Sequence, residues 1–265
     1  MRLSVLLLGA WMLMALAGQL LPIAPDRILL QDLFAPPLQG GHLLGTDELG
    51  RSLGERLLAG AGVSLLVALV SVGLSSVIGT VIGTVAGYLG GWWDRVISRL
   101  IDIFLAFPGL LLAIALAAFL GPGIDNVVIA LSVMGWVGYA RLARNQVLSL
   151  RQREHVLAAV ALGRRTPDIM RLHLLPLMLA PLLVEASYGV ASAVIAEAGL
   201  SFLGLGVQPP QASWGAMIRE GVRYLLVAPH LVLVPGLMLS LVVLSANRLG
   251  DGLRDRLDVT SRSRR

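Results

Sequence analysis

The residue types in this chain that could do chemistry are few, and their spacing excludes most of it. The four histidines, His42, His155, His173 and His230, form no His-x-x-x-His pair and no other close ligand spacing, so no metal site is expected. There is no cysteine, which removes disulfides, thiolate metal sites and cysteine nucleophiles. All 21 basic residues are arginine. A phosphate-binding P-loop needs its lysine and a Schiff-base enzyme needs an amine, so neither chemistry belongs to this chain. Gly204-Leu205-Gly206 has no strand and helix around it to make a dinucleotide loop. Ser64 and Ser187 have no evident base to activate them. No catalytic residue and no cofactor are expected here.

Two acids stand out by their surroundings. Glu185 and Glu197 lie inside a long apolar run. A carboxylate there costs roughly 2.5–3.5 kcal/mol on insertion scales, so such groups face a wet cavity or a partner. Glu197 is near the outer end and is expected to reach the interface. Glu185 lies deeper. It reads either as a lining residue of a substrate path or as a protonated or hydrogen-bonded structural acid.

The elements that position these residues follow from composition. Of 265 residues, 56% are hydrophobic and 14% are charged, against about 25% charged in a soluble domain. Mean hydropathy is +0.81. One core of this size does not hide so much apolar surface, so the excess faces lipid, and the chain reads as an all-α, polytopic membrane protein. The net charge of +5 fits the arginine bias of a membrane protein better than nucleic-acid binding.

A span needs about 20 apolar residues. Leu3 to Leu21 reads as a first span; its Ala15-Leu16-Ala17 leaves open a cleaved signal peptide. Residues 23–56 read as an outer loop, with Pro36-Pro37 and Gly40-Gly41. Leu57 to Trp93 carries no charge and holds the second span, ending near Gly87 to Gly91. Ile103 to Ile124 is the third and Asn126 to Ala140 the fourth. Leu174 to about Leu200 is the fifth and Leu225 to Asn247 the sixth, with a polar tail from Arg248. Gly204 to Arg223 reads as loop. Sixteen arginines then fall on the side of the termini and five on the other, which places both termini in the cytoplasm. The division is residues 1–56, first helix and outer loop, and 57–265, a five-helix core with a cytoplasmic loop at 145–176.

Ser71, Ser75, Gly79, Gly83 and Gly87 recur every four residues, so they share one helical face. Lipid gives helices no hydrophobic drive to associate, so close backbone approach matters more, and this face is expected to press on another helix.

In the cytoplasmic segment, Glu154 to Leu162 has good helix formers and Gly163 is placed to end the helix. Thr166-Pro167-Asp168 starts another, with proline in the first turn. Ala158, Ala159 and Ala161 keep the first helix slim. A slim, arginine-flanked helical pair outside the membrane suits docking into a partner's cleft.

Ala158-Ala159, Gly163, Ile169 and Leu175-Pro176 resemble the EAA loop of ABC-importer permeases. His42 to Arg51 (HLLGTDELGR), Gly90-Gly91-Trp92, Ala106-Phe107-Pro108-Gly109, Ser201 to Pro210, Ser213-Trp214-Gly215 and Gly250 to Asp255 are similar to the dipeptide, oligopeptide and nickel branch, in the second permease of its heteromeric pair. They cover nearly the whole chain in order. The loop's usual leading glutamate falls at Leu157, and Glu154, almost one turn earlier, is read as its substitute. Ser149 to Glu154 with Val156-Leu157-Ala158 is similar to nickel-importing members. The resemblance implies a type I importer permease in a bacterial inner membrane. It also implies a second homologous permease, two ATPase subunits that hold ATP and Mg, and an extracytoplasmic substrate-binding protein as partners, with peptides or a nickel chelate as cargo. ATPase coupling would fall to Glu154, Ala158, Ala159, Gly163, Ile169, Leu175 and Pro176. The alternative is an ion-gradient-driven transporter or channel using Glu185, against which the absence of a visible inverted repeat counts.

Overall fold

A computed structural model describes residues 1–39 and 41–257. Gly40 of the outer-loop glycine pair and Arg262, Arg264 and Arg265 of the tail lie outside the described residues. The described residues form α1 (Arg2–Leu20), α2 (Leu53–Leu89), α3 (Gly91–Ala106), α4 (Gly109–Leu120), α5 (Ile124–Leu150), α6 (Glu154–Ala161), α7 (Thr166–Ile169), α8 (Leu175–Phe202), α9 (Trp214–Val222) and α10 (His230–Leu257). A π-helical turn, Met170–Leu174, joins α7 to α8. Five helical stretches are long and apolar enough to cross a bilayer, and the pair α3–α4 makes a sixth if counted as one bent span.

That bend corrects the third span. Hydropathy alone reads Ile103 to Ile124 as one rod, whereas the axes of α3 and α4 differ by 88°. Pro108 has no N–H to donate into the preceding turn, and it pushes Phe107 out of helical geometry, to φ −101° and ψ 143°. Other boundaries move for similarly local reasons. α5 runs on through Leu150, past Arg141 and Arg144, because Ala143, Val147 and Leu150 are buried against neighbouring helices; residues 145–150 are therefore helix, not loop. α10 starts only at His230 and continues to Leu257, past the apolar stretch. At 28 residues it is about 42 Å long, more than the ~30 Å hydrocarbon core. Residues 204–223, read as loop, contain α9, whose N-terminus is capped by the Ser213 hydroxyl accepting from the Ala216 N–H at 3.2 Å.

The small-residue face of α2 lies against α5. Ser71, Ser75, Gly79, Gly83 and Gly87 are all buried. A Cβ built on Gly83 would run into the Ala140 carbonyl, and one on Gly87 would sit 2.8 Å from the Arg144 carbonyl oxygen. The two backbones approach as closely as hydrogen in place of a side chain allows. Ser75 adds a hydrogen bond across the contact, its hydroxyl donating to the Ser132 carbonyl at 3.3 Å. The N-terminal helix joins the same body through Trp11 and Ala15, both buried beside Trp214 and Leu57. Met1 lies against Gly252, so α1 begins where α10 nears its end, and the two described ends share one side.

Candidate translocation cleft and coupling elbow

An elbow between α5 and α8 is made of α6, the turn at Gly163 and α7. Gly163 has φ +76°, a left-handed conformation in which a side chain is strained. Thr166 and Pro167 open α7 with proline in its first turn. One face of the elbow is rooted in the membrane domain. Val156, Ala159, Ile169 and Leu174 are buried in a cluster with Tyr139, Ala143, Val147 and Leu150 of α5 and Met178 and Leu182 of α8. The opposite face is open: Glu154, Ala158 and Gly163 are exposed, and so are Leu157, Val160 and Leu162, the last at 87%. The residues nominated for coupling thus divide. Glu154, Ala158 and Gly163 are free to touch a partner. Ala159 and Ile169 instead anchor the elbow, and Leu175 and Pro176 form the first turn of α8.

Two arginines missed in the sequence reading fix the elbow's base. Arg144 grips Asp94 of α3 with two prongs, Nη2 donating to Oδ2 at 2.8 Å and Nε to the other oxygen. Arg151 Nη1 donates to the Gly87 carbonyl at 3.1 Å, near the C-terminus of α2, where helix carbonyls lack intrahelical partners.

Glu185 is on the wall of a cleft of about 450 Å³ between α2, α4, α5 and α8. Tyr139, Tyr188, Gly189 and Ser192 share the lining, with Ser71 and Ser75 from the small-residue face. Glu185 is half-buried. Tyr139 is 3% exposed, and its hydroxyl has no hydrogen-bond partner among the described residues.

Glu197 corrects its sequence reading. It does not reach the interface: it is 1% exposed. The Ser64 hydroxyl donates to Oε2 at 3.0 Å and the Ser201 hydroxyl to Oε1 at 2.8 Å. The Glu197 to Ser201 spacing of one turn was visible in the sequence; the approach of α2 was not. Ser64 therefore does have a carboxylate beside it, but the contact is a buried strut between α2 and α8.

At the end of α2 away from the elbow, the segment from His42 to Arg51 folds around Asp47. Its Oδ1 accepts the N–H groups of Leu49 and Arg51 at 2.9 Å, and its Oδ2 accepts from Arg51 Nε at 2.6 Å. Arg56, 1% exposed, donates to Glu220 of α9 at 2.9 Å. Asp47, Glu48 and Glu220 cluster closely enough to suggest a cation site, but the Arg51 and Arg56 guanidiniums already supply the positive charge. His42 meets Asp32 at 3.3 Å. Trp214 is fully buried and donates to the Leu57 carbonyl at 3.0 Å, whereas Trp92 and Trp93 are exposed.

Comparison with known proteins agrees with this architecture. Residues 79–259 match the family described as binding-protein-dependent transport system inner membrane component. The chain is 44% identical over 223 residues to the glutathione transport system permease protein GsiD of Escherichia coli, covering 84% of this chain and 73% of that protein. It is 44% identical over 222 residues, with the same coverage, to the dipeptide transport system permease protein DppC of Alkalihalophilus pseudofirmus. An inward-facing structure of the MetNI methionine ABC transporter superposes with a TM-score of 0.58 at 20% identity, over 74% of this chain and 95% of that one, which establishes the shared fold. The ion-gradient alternative finds no support in these matches. The chain belongs to the binding-protein-dependent transport system inner membrane component family, as a multi-pass permease subunit of an ABC importer with the type I fold.

Proposed function

We propose that this subunit works in a bacterial cytoplasmic membrane beside a second, homologous permease. Two ATPase subunits sit on its arginine-rich side and hold ATP and Mg²⁺; an extracytoplasmic binding protein delivers cargo to the other side. The cargo is a short peptide, a reading supported by relatives named for glutathione and dipeptides; a nickel chelate rests on the string at 149–158 alone. The cleft beside Glu185 is this subunit's share of the cargo path.

The observation that carries the coupling role is the two-faced elbow. Its inner face is packed into α5 and α8, and its outer face presents Glu154, Ala158, Leu157 and Leu162 to a partner. A displacement of the elbow is therefore passed to two spans as a rigid-body movement. ATP favours one arrangement only through contacts that differ between states, and the elbow is where those contacts are made. The small-residue contact of α2 on α5 carries the movement across the bundle without repacking.

The test is Gly163→Val. A β-branched residue at φ +76° strains the turn and reorients the elbow without altering any apolar span. Insertion into the membrane is expected to persist while peptide uptake falls and ATP hydrolysis by the assembly continues. Undiminished uptake would remove the elbow from the coupling path.

A further inference from the structure

The cleft between α2, α4, α5 and α8 holds a carboxyl group with no basic side chain beside it among the described residues. Among the described residues Glu185 is the only ionisable acid or base in its lining apart from the two tyrosines, and no arginine or histidine joins it there. The carboxylate has no hydrogen bond or ion pair among the described residues, whereas Glu197, further along the same helix, is closed off by two serines. A carboxylate at this depth calls for a partner, and this one has been left without one.

The surroundings keep it open. A Cβ on Gly138 would sit 3.0 Å from Glu185 Oε1, and one on Gly189 would sit 2.6 Å from the Tyr139 hydroxyl oxygen. With hydrogen at both positions no side chain blocks Glu185 Oε1 or the buried Tyr139 hydroxyl. The serines of the α2 face are already committed, Ser71 to the Val67 carbonyl and Ser75 to the Ser132 carbonyl, and the Tyr188 hydroxyl donates to Asp251 at 2.6 Å. The polar side chains of the lining left without a hydrogen bond among the described residues are Glu185, Tyr139 and the exposed Ser192, of which Glu185 supplies a carboxylate acceptor and Tyr139 a buried donor. The cleft's volume of about 450 Å³ is within the range of small-ligand sites.

We propose that this cleft holds the protonated amino end of a peptide in transit, with the Glu185 carboxylate accepting from the ammonium and the Tyr139 hydroxyl donating to the adjoining carbonyl. The proposal rests on the peptide reading above. One carboxylate is too few ligands for a divalent cation, which takes six or more oxygens. An ammonium beside a carbonyl matches an acceptor beside a donor. The peptide's carboxylate finds no basic group in the lining and points away from Glu185.

The chain has no cysteine, so Ser192→Cys places one reporter thiol in the cleft, at an exposed position. In the detergent-purified assembly, with this subunit read by mass, methanethiosulfonate ethylammonium is expected to react with it faster than the sulfonate analogue. Adding Glu185→Gln should lower that cation-to-anion rate ratio at least about fivefold, and Glu185→Asp should keep it. Dialanine should slow the reaction and N-acetyl-dialanine should not. A ratio unmoved by Glu185→Gln, or equal protection by both peptides, overturns the proposal. Uptake of dialanine and glutathione into proteoliposomes separates the two levels. Undiminished uptake with Glu185→Gln sinks only the ammonium site. No uptake of either by the native assembly sinks the peptide reading, and this proposal with it.

Discussion

Asp94 and Arg144 are 50 residues apart in sequence, yet the guanidinium of one meets both carboxylate oxygens of the other. The contact ties the first turn of α3 to the last turns of α5, beside the root of the elbow. Two parallel N–H donors make this a geometry that arginine satisfies and lysine does not. Both side chains are about a quarter exposed, so the pair is neither a loose surface contact nor fully desolvated. Arg144→Lys is expected to cost more than an exposed pair would, and a double-mutant cycle with Asp94→Asn should give a coupling of about 1 kcal/mol. Thermal unfolding of the detergent-solubilised subunit measures it; additive single and double variants would leave the pair without structural weight.

The glycines of α2 offer an internal comparison. Gly83 faces Ala140 with no room for a side chain, while Gly73, on the same helix, has nothing within 4 Å of its would-be Cβ. Gly83→Leu should destabilise by at least about 1–3 kcal/mol through overpacking, and Gly73→Leu should stay within about 0.5 kcal/mol. Equal effects on unfolding midpoint would mean that α2 and α5 can separate without penalty.

Glu197 is a strut whose loss strands its partners. Glu197→Leu leaves the hydroxyls of Ser64 and Ser201 buried without an acceptor, at about 1–3 kcal/mol for each donor left unmade. Glu197→Gln keeps one amide oxygen and should cost less. The order of the two variants in thermal stability is the measurement, and a leucine variant as stable as the glutamine one would refute the strut.

Glu48 titrates against its own burial. Desolvation, aided by the charges of Asp47 and Glu220 and opposed by a backbone hydrogen bond and Arg51, raises its pKa above the ordinary 4.5. A folded state that holds a proton more tightly than the unfolded chain is favoured at low pH. That advantage is full below 4.5 and disappears as pH rises through the folded value. Glu48→Gln should therefore flatten the fall of stability with rising pH just above 4.5. Parallel native and variant curves over that window would rule the effect out.

What could be read from the sequence was whatever depended on neighbours along the chain. Gly163 ends a helix because of its own φ, Pro167 starts one because it lacks an N–H, and the five small residues of α2 declare a face by their spacing. The kink at Phe107-Pro108 was legible in the same way, but an unbroken count of apolar residues outweighed the proline. What could not be read was whatever depended on contacts across the fold. Nothing near Arg144 names Asp94. Nothing near Glu197 says that Ser64 arrives from α2 to bury it, and α9 is too short to declare itself without the helices it packs against.

The outer face of the elbow makes the last prediction. Leu162 is 87% exposed and Leu157 54%, so trimming either to alanine removes little buried area within this subunit, and its own stability should move by no more than about 0.5 kcal/mol. If these leucines fill a cleft on the ATPase, the assembly loses their burial instead. Each is then worth roughly 1.5–3 kcal/mol at the interface, or a tenfold or greater rise in the dissociation constant. Leu157 is the more telling of the two, because it stands one turn from Glu154 on the same side of α6 and replaces the acid usual at the head of this loop. Leu157→Glu restores that acid, and Glu154→Ala removes the nearby one. If Glu154 has taken over the contact, the alanine variant weakens ATPase association and adding Leu157→Glu recovers it. Pull-down of the ATPase subunits by the four forms, quantified against membrane-inserted permease, decides the matter; association indifferent to both positions would place the docking surface elsewhere on the elbow.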